Sequence, residues 1–209
     1  MVAYRAVAGS VRSPTPTVAL VDGLTASDLQ ACAARVASWR DAGLAAPLLL
    51  PIAEFRRSLD AFPFEFGAIL ADHVVICGPS PFEGLRVEPA DLRHACERQA
   101  RSHLLHLREG YMETEGRGSA IADLISGSAA ALAGIVESVA RLREGAARDV
   151  EAAAREIEEL IGVKDGAIRR VVMLADGRSV GADEARRLFP LYLDALERLT
   201  HYIDRWRPE

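Results

Sequence analysis

Two rhythms of apolar residues run along this chain and change over near Val87-Glu88-Pro89. Upstream, short apolar runs alternate with turn residues, the pattern of buried strands linked by helices. Downstream, apolar positions recur at helical spacing through long Ala- and Arg-rich segments. The pattern predicts two units, residues 1–87 and 88–209. It also predicts an α+β fold, in which a small mixed sheet domain precedes an up-and-down helical bundle.

In the first unit, Thr17 to Val21 (T-V-A-L-V) reads as a buried strand closed by the Asp22-Gly23 turn. Thr25 is placed to cap a helix, with Asp28 three residues on completing a capping pair at its positive end. Leu29, Cys32, Val36 and Trp39 share one face of that helix, and Gly43 ends it. Leu48-Leu49-Leu50 reads as a second strand stopped by Pro51, followed by a helical turn over Glu54 to Leu59. Phe62 to Leu70 and His73 to Cys77 read as further strands, and Val2 to Val7 as an edge strand.

Five helical segments are predicted in the second unit. Pro89 opens the first, which reaches Met112 and turns Cys96, Ala100, Leu104, Leu107 and Tyr111 inward. Ser119 caps the next, whose apolar residues run from Ile121 to Val139 at helical spacing. Asp149 caps a third, with Val150, Ala153, Ile157 and Leu160 facing inward and Gly162 as its stop. A fourth covers Lys164 to Ala175. The last runs from Asp183 to Trp206, bent or restarted at Pro190, with Leu188, Tyr192, Ala195, Leu199, Ile203 and Trp206 on its buried stripe.

Composition narrows the function classes. Half of the residues are hydrophobic and 26% are charged, which excludes long disorder. A formal net charge of −5 gives no global attraction to nucleic acid. Cys32, Cys77 and Cys96 are widely spaced in apolar surroundings and read as buried free thiols, with neither a disulfide framework nor a CxxC metal knuckle. The N-terminal M-V-A-Y-R-A-V-A-G-S has no long apolar core of the secretory kind, so the expected setting is the cytoplasm. Gly118 to Val136 is the least charged long window; Asp123, Gly127 and Gly134 within it favour a bundle helix over a membrane span.

Two stretches carry a family resemblance. P-L-L-L-P-I-A-E-F-R-R-S-L-D-A-F-P-F-E-F covers Pro47 to Phe66, and D-L-R-H-A-C-E-R-Q-A-R-S-H-L-L-H-L-R-E-G-Y covers Asp91 to Tyr111. They resemble bacterial nucleotidyltransferase-like proteins with a C-terminal helical domain, which pair an F-P-I-E-F phrase with H-x-V-L-x-G. A helix patterned L-R-x-x-x-E and L-L-x-L-R-x-x-Y follows. The matching positions here are Phe62 to Phe66, His73 to Gly78, and Leu92, Arg93, Glu97, Leu104, Leu105, Leu107, Arg108 and Tyr111. The resemblance spans residues 18–112; beyond it only helical character matches.

The resemblance implies specific chemistry. Nucleotidyl transfer displaces pyrophosphate, so divalent metals held by carboxylates must neutralise the growing charge. In this superfamily a Gly-Ser turn grips the triphosphate, and a D-x-D pair on a strand points two acids to one face. A third acid comes from a neighbouring strand. Gly9-Ser10 could be the relic of that turn, but Thr15 and Thr17 stand where the paired acids belong. Asp22 falls after the strand and reads as a turn residue. Glu65 takes the place of the third acid. With the carboxylate set broken, the expected role is a catalytically degenerate module that binds a ligand or a protein. Its site is expected in the cleft between the units.

Other constellations carry the alternatives. Arg98 to His103 and Arg101 to His106 fit the R-x4-H pattern of HEPN-type helical ribonucleases, with histidine moving a proton and arginine steadying phosphate charge. At ~100° per residue, His103 and His106 lie about 60° apart, and Glu109 could join them as a metal ligand. No metal site is expected there, since histidine pairs on helices are usually unmetallated. Arg93 with Glu97 reads as an i,i+4 pair, while Arg93 or Arg108 could instead hold a ligand phosphate. The alternative function is an active metal-dependent nucleotidyltransferase on a small molecule, or a HEPN-type ribonuclease. No cofactor is expected outside that alternative, which would need Mg²⁺ and a nucleotide. Expected partners are a small-molecule or nucleotide ligand, a protein partner or a second copy of the chain; neither a membrane nor nucleic acid is expected.

Overall fold

The computed structural model describes residues 1–4, 14–143 and 149–207. The chain divides into two compact units, with Asp91 in the first and Leu92 in the second. The possible phosphate turn at Gly9-Ser10 lies outside the described residues.

In the first unit, β1 (Val2–Tyr4), β2 (Thr17–Val21), β3 (Leu48–Pro51) and β4 (His73–Val75) form one mixed sheet in the order β3-β2-β1-β4. β1 is antiparallel to both neighbours, with Val2 facing Val18 on one side and Val75 on the other, while β2 and β3 run parallel. The expectation of an edge strand at Val2 is therefore overturned. β1 is central, and Val2 is fully buried in a cluster with Val18, Phe55, Phe66 and Ile69.

Between β2 and β3 the chain forms α1 (Ala26–Ala33) and α2 (Val36–Asp41). The capping pair forms as expected: Asp28 N–H donates to Thr25 Oγ1 at 3.3 Å and Thr25 N–H to Asp28 Oδ2 at 2.9 Å. The single amphipathic helix expected here is two helices, neither with a fully buried residue, and Leu29 is 49% exposed. Gly43 ends α2 at φ +77°, a left-handed conformation that costs glycine little.

The largest correction concerns Phe62 to Leu70, expected as a strand. After α3 (Ile52–Arg57), this run is helix α4 (Pro63–Ala71). Pro63 sits in its first turn, where a missing N–H costs nothing. An almost unbroken apolar run satisfies strand and helix periodicity alike. Burial decides between them: Phe66, Ala68 and Ile69 go inward, and Phe66 stacks on Phe55 with centroids 4.5 Å apart. Val2, Val18, Leu50, Phe55, Phe66, Ile69 and Phe82 form this unit's core. Cys77, expected buried, is exposed beyond the short β4, and the Met1 ammonium donates to its carbonyl at 3.0 Å.

The helices of the second unit are α5 (Pro89–Glu113, from Leu92 onward), α6 (Gly118–Arg141), α7 (Val150–Ile161), α8 (Ala167–Val172) and α9 (Ala182–Arg205). A 3-10 turn, Met173–Asp176, follows α8. α6 is the centre, packed against α7, α8 and α9 with Ile125, Leu132, Val136 and Val139 fully buried. By length and composition it alone among the described helices could cross a membrane. Its expected cap, Ser119, lies inside the helix instead, and the cap position is Arg117. At Gly118 the helix comes close to the start of α9, where an added Cβ would lie 2.9 Å from the Ala182 carbonyl oxygen.

Asp149 caps α7 as expected, accepting from the Ala152 N–H at 2.8 Å, and Gly162 stops it at φ +72°. Of the two alternatives expected at Pro190, a bend or a restart, the restart does not occur: α9 runs unbroken through it. Pro190 is exposed, so the backbone hydrogen bond its ring removes is lost on the solvent side of the helix. The buried stripe on either side, including Leu188, Phe189, Tyr192, Leu196 and Leu199, keeps the helix whole. Cys96 is buried in the α5 stripe, and desolvation pushes its thiol up to about 12, so it packs as an apolar atom rather than a nucleophile.

Candidate functional site

The positions where a nucleotidyl-transfer site would hold its metals do not form a carboxylate cradle. Thr15 is exposed and bridged to Leu44, whereas Thr17 is 2% exposed at the start of β2. Asp22 is exposed in the turn after β2. Glu65 was expected at a strand, and the structure corrects this: it is exposed in the first turn of α4. Hydroxyls are weak ligands for hard dications, so these residues do not fit a two-metal site. Among the described residues, no three His, Cys, Asp or Glu side chains cluster closely enough to hold a metal.

On α5, most of the candidate side chains turn toward α9. Contacts pair Arg93 with Ile203, His103 with Tyr192 and Tyr111 with Phe189, so the two helices run antiparallel. His103 Nε2 lies 2.6 Å from Tyr192 Oη, which in turn lies 3.1 Å from Ser128 Oγ on α6. Ser128 donates to the Ile125 carbonyl at 2.8 Å. Its only proton is thus committed, so Tyr192 donates to Ser128 and His103 donates to Tyr192. Burial, with a smaller contribution from nearby His106, brings His103 down to about 4 and keeps the ring neutral. Desolvation likewise raises Tyr192.

His106 is exposed beside Glu109 at 3.6 Å. Arg101 is held by Glu97 at 3.0 Å and Asp204 at 3.3 Å. The two R-x4-H pairs span five residues each, about 140° around the helix, so neither turns its members to one side.

Arg93 is bonded to Glu97 at 3.0 Å, forming the i,i+4 pair read from the sequence, and to the Ile203 carbonyl at 3.4 Å. Arg108 is bonded to Glu197 at 2.7 Å. Both guanidiniums read as phosphate grips are occupied in tying α5 to α9.

The helical unit holds two concavities that sequence reasoning missed. The first has a volume of about 370 Å³ and lies among α7, α8, the 3-10 turn and the start of α9. Arg169, Arg170 and Arg178 line it with Ser179, over apolar Met173 and Leu188. Arg170 is paired with Glu184 at 2.8 Å, and Arg178 has no ion-pair partner among the described residues.

The second, about 500 Å³, follows the loop from Gly162 to Gly166 and shares Arg169. Its buried Glu158 accepts the Arg169 N–H at 3.0 Å and so anchors the start of α8; desolvation raises this carboxyl. The signal in the sequence was I-R-R-V-V-M-L-A-D-G-R-S, with basic residues on both sides of a turn and apolar residues between them.

No protein-family model, curated protein or solved structure matches this chain.

Proposed function

We propose that this chain is a ligand-binding module on a nucleotidyltransferase-like scaffold that no longer transfers nucleotides. The observation that carries this reading is the fate of the acid positions. Thr15 and Thr17 replace the pair, and Glu65 projects from an exposed helical turn instead of joining them. Threonine hydroxyls and a lone exposed carboxylate do not hold the metals that neutralise the charge developing as pyrophosphate departs. Binding needs only a concave surface with convergent polar groups, and the arginine-lined concavity of the helical unit supplies one.

The test is pyrophosphate release by the full chain with each nucleoside triphosphate and Mg²⁺, alongside calorimetric titration of the same nucleotides. The expected outcome is no turnover. Sustained metal-dependent release that survives rigorous repurification would overturn the proposal.

A further inference from the structure

We propose that the 370 Å³ concavity binds a small molecule with an oxyanion on a compact apolar body, its oxyanion held by Arg178 and Arg170. This deepens the ligand-binding reading above and rests on it. Arg170 and Arg178 meet two carboxylates there, Glu151 and Glu184, whereas the Arg169 guanidinium lies against Gly166 on the side of Glu158. Both carboxylates are already engaged, Glu151 by Arg155 at 3.6 Å and Glu184 by Arg170 at 2.8 Å. Arg178 makes no ion pair among the described residues. The guanidinium fork matches the paired oxygens of a phosphate ester or a carboxylate, and charge-assisted bonds of this kind are the strong ones.

The remainder of the lining sets the ligand's other end. Met173, Leu174 and Val180 are half-buried, so they offer apolar surface in the same concavity as the arginines. The volume lies at the lower end of the small-molecule range and suits a single ring or a short chain. Glu184 then acts as an internal competitor. It occupies Arg170 in the absence of ligand, and an entering oxyanion takes its place. The Arg170–Glu184 pair is partly solvated, with side-chain exposures of 37% and 51%, so the exchange is cheap.

The experiment is calorimetric or NMR titration of the full chain with phenyl phosphate, benzoate and inorganic phosphate. Phenyl phosphate or benzoate should bind, and whichever binds tighter identifies the phosphate ester or the carboxylate as the natural head group. Arg178→Gln should weaken binding about tenfold through loss of a charge-assisted contact. Glu184→Gln should strengthen it several-fold by freeing Arg170. Arg178 is exposed and makes no ion pair among the described residues, so its variant should melt as the wild type does.

Unchanged binding by Arg178→Gln, or no binding of either aromatic probe, overturns the site. Inorganic phosphate binding as tightly as phenyl phosphate overturns the apolar half. These outcomes are separable from the proposed function: pyrophosphate release would sink the catalytically silent reading and leave this site standing.

Discussion

His103 shows how one side chain changes meaning once its neighbours are known. In the sequence it is half of an R-x4-H pattern, whereas in the fold it donates to a buried tyrosine. Its folded value is depressed to about 4 from the ordinary 6.5. Its contribution to stability is therefore complete above 6.5 and is lost as pH falls toward 4. The loss should be on the order of 2–3 kcal/mol. Urea titrations between pH 7 and 4 should show that decline, and His103→Gln should flatten it. Glu158 works in the opposite sense because its folded value is raised, so the comparison needs Glu158→Gln as a background. Tyr192→Phe leaves the His103 N–H without its acceptor, which should cost about 1–3 kcal/mol at neutral pH. Thr25, Asp28, Asp149 and Gly162 were readable from sequence, because caps and stops act within four residues.

Elements were legible where their period was unambiguous. The long helices of the second unit show clear spacing, and burial follows it at Cys96, Ala100, Leu104 and Leu107 on α5. α4 departs from the expected strand because Phe62 to Leu70 is apolar at nearly every position, and Glu65 as its one charged residue cannot mark a period. α6 was read correctly as a bundle helix, and its start meets a partner remote in sequence. Gly118 allows it to meet the start of α9. Gly118→Ala would set a methyl against the Ala182 carbonyl and the Arg186 side chain. Overpacking of this kind should cost about 1–3 kcal/mol, measurable as a lowered denaturation midpoint with an unchanged m-value.

For the whole molecule, the question is whether missing acids alone explain the proposed silence. They do not. Thr17 is 2% exposed, and Glu65 belongs to a helix rather than to the strand beside it. The double variant Thr15→Asp/Thr17→Asp should therefore stay inactive in a pyrophosphate-release assay. It should also lose several kcal/mol of stability, since it buries a carboxylate without a partner. Turnover in that variant would mean that the site assembles after all.

Sequence alone determined the α+β class, the caps and stops of several helices and most of the inward stripes of the bundle, because each depends on residues within a turn or two of one another; Tyr111 and Leu160, expected inward, are each 39% exposed. Tertiary structure alone decided that β1 is central, that Phe62 to Leu70 coils, and that Arg93 and Arg108 are spent on α9. Those outcomes depend on which distant surfaces exclude water together, and burial of that kind leaves no local periodicity to read.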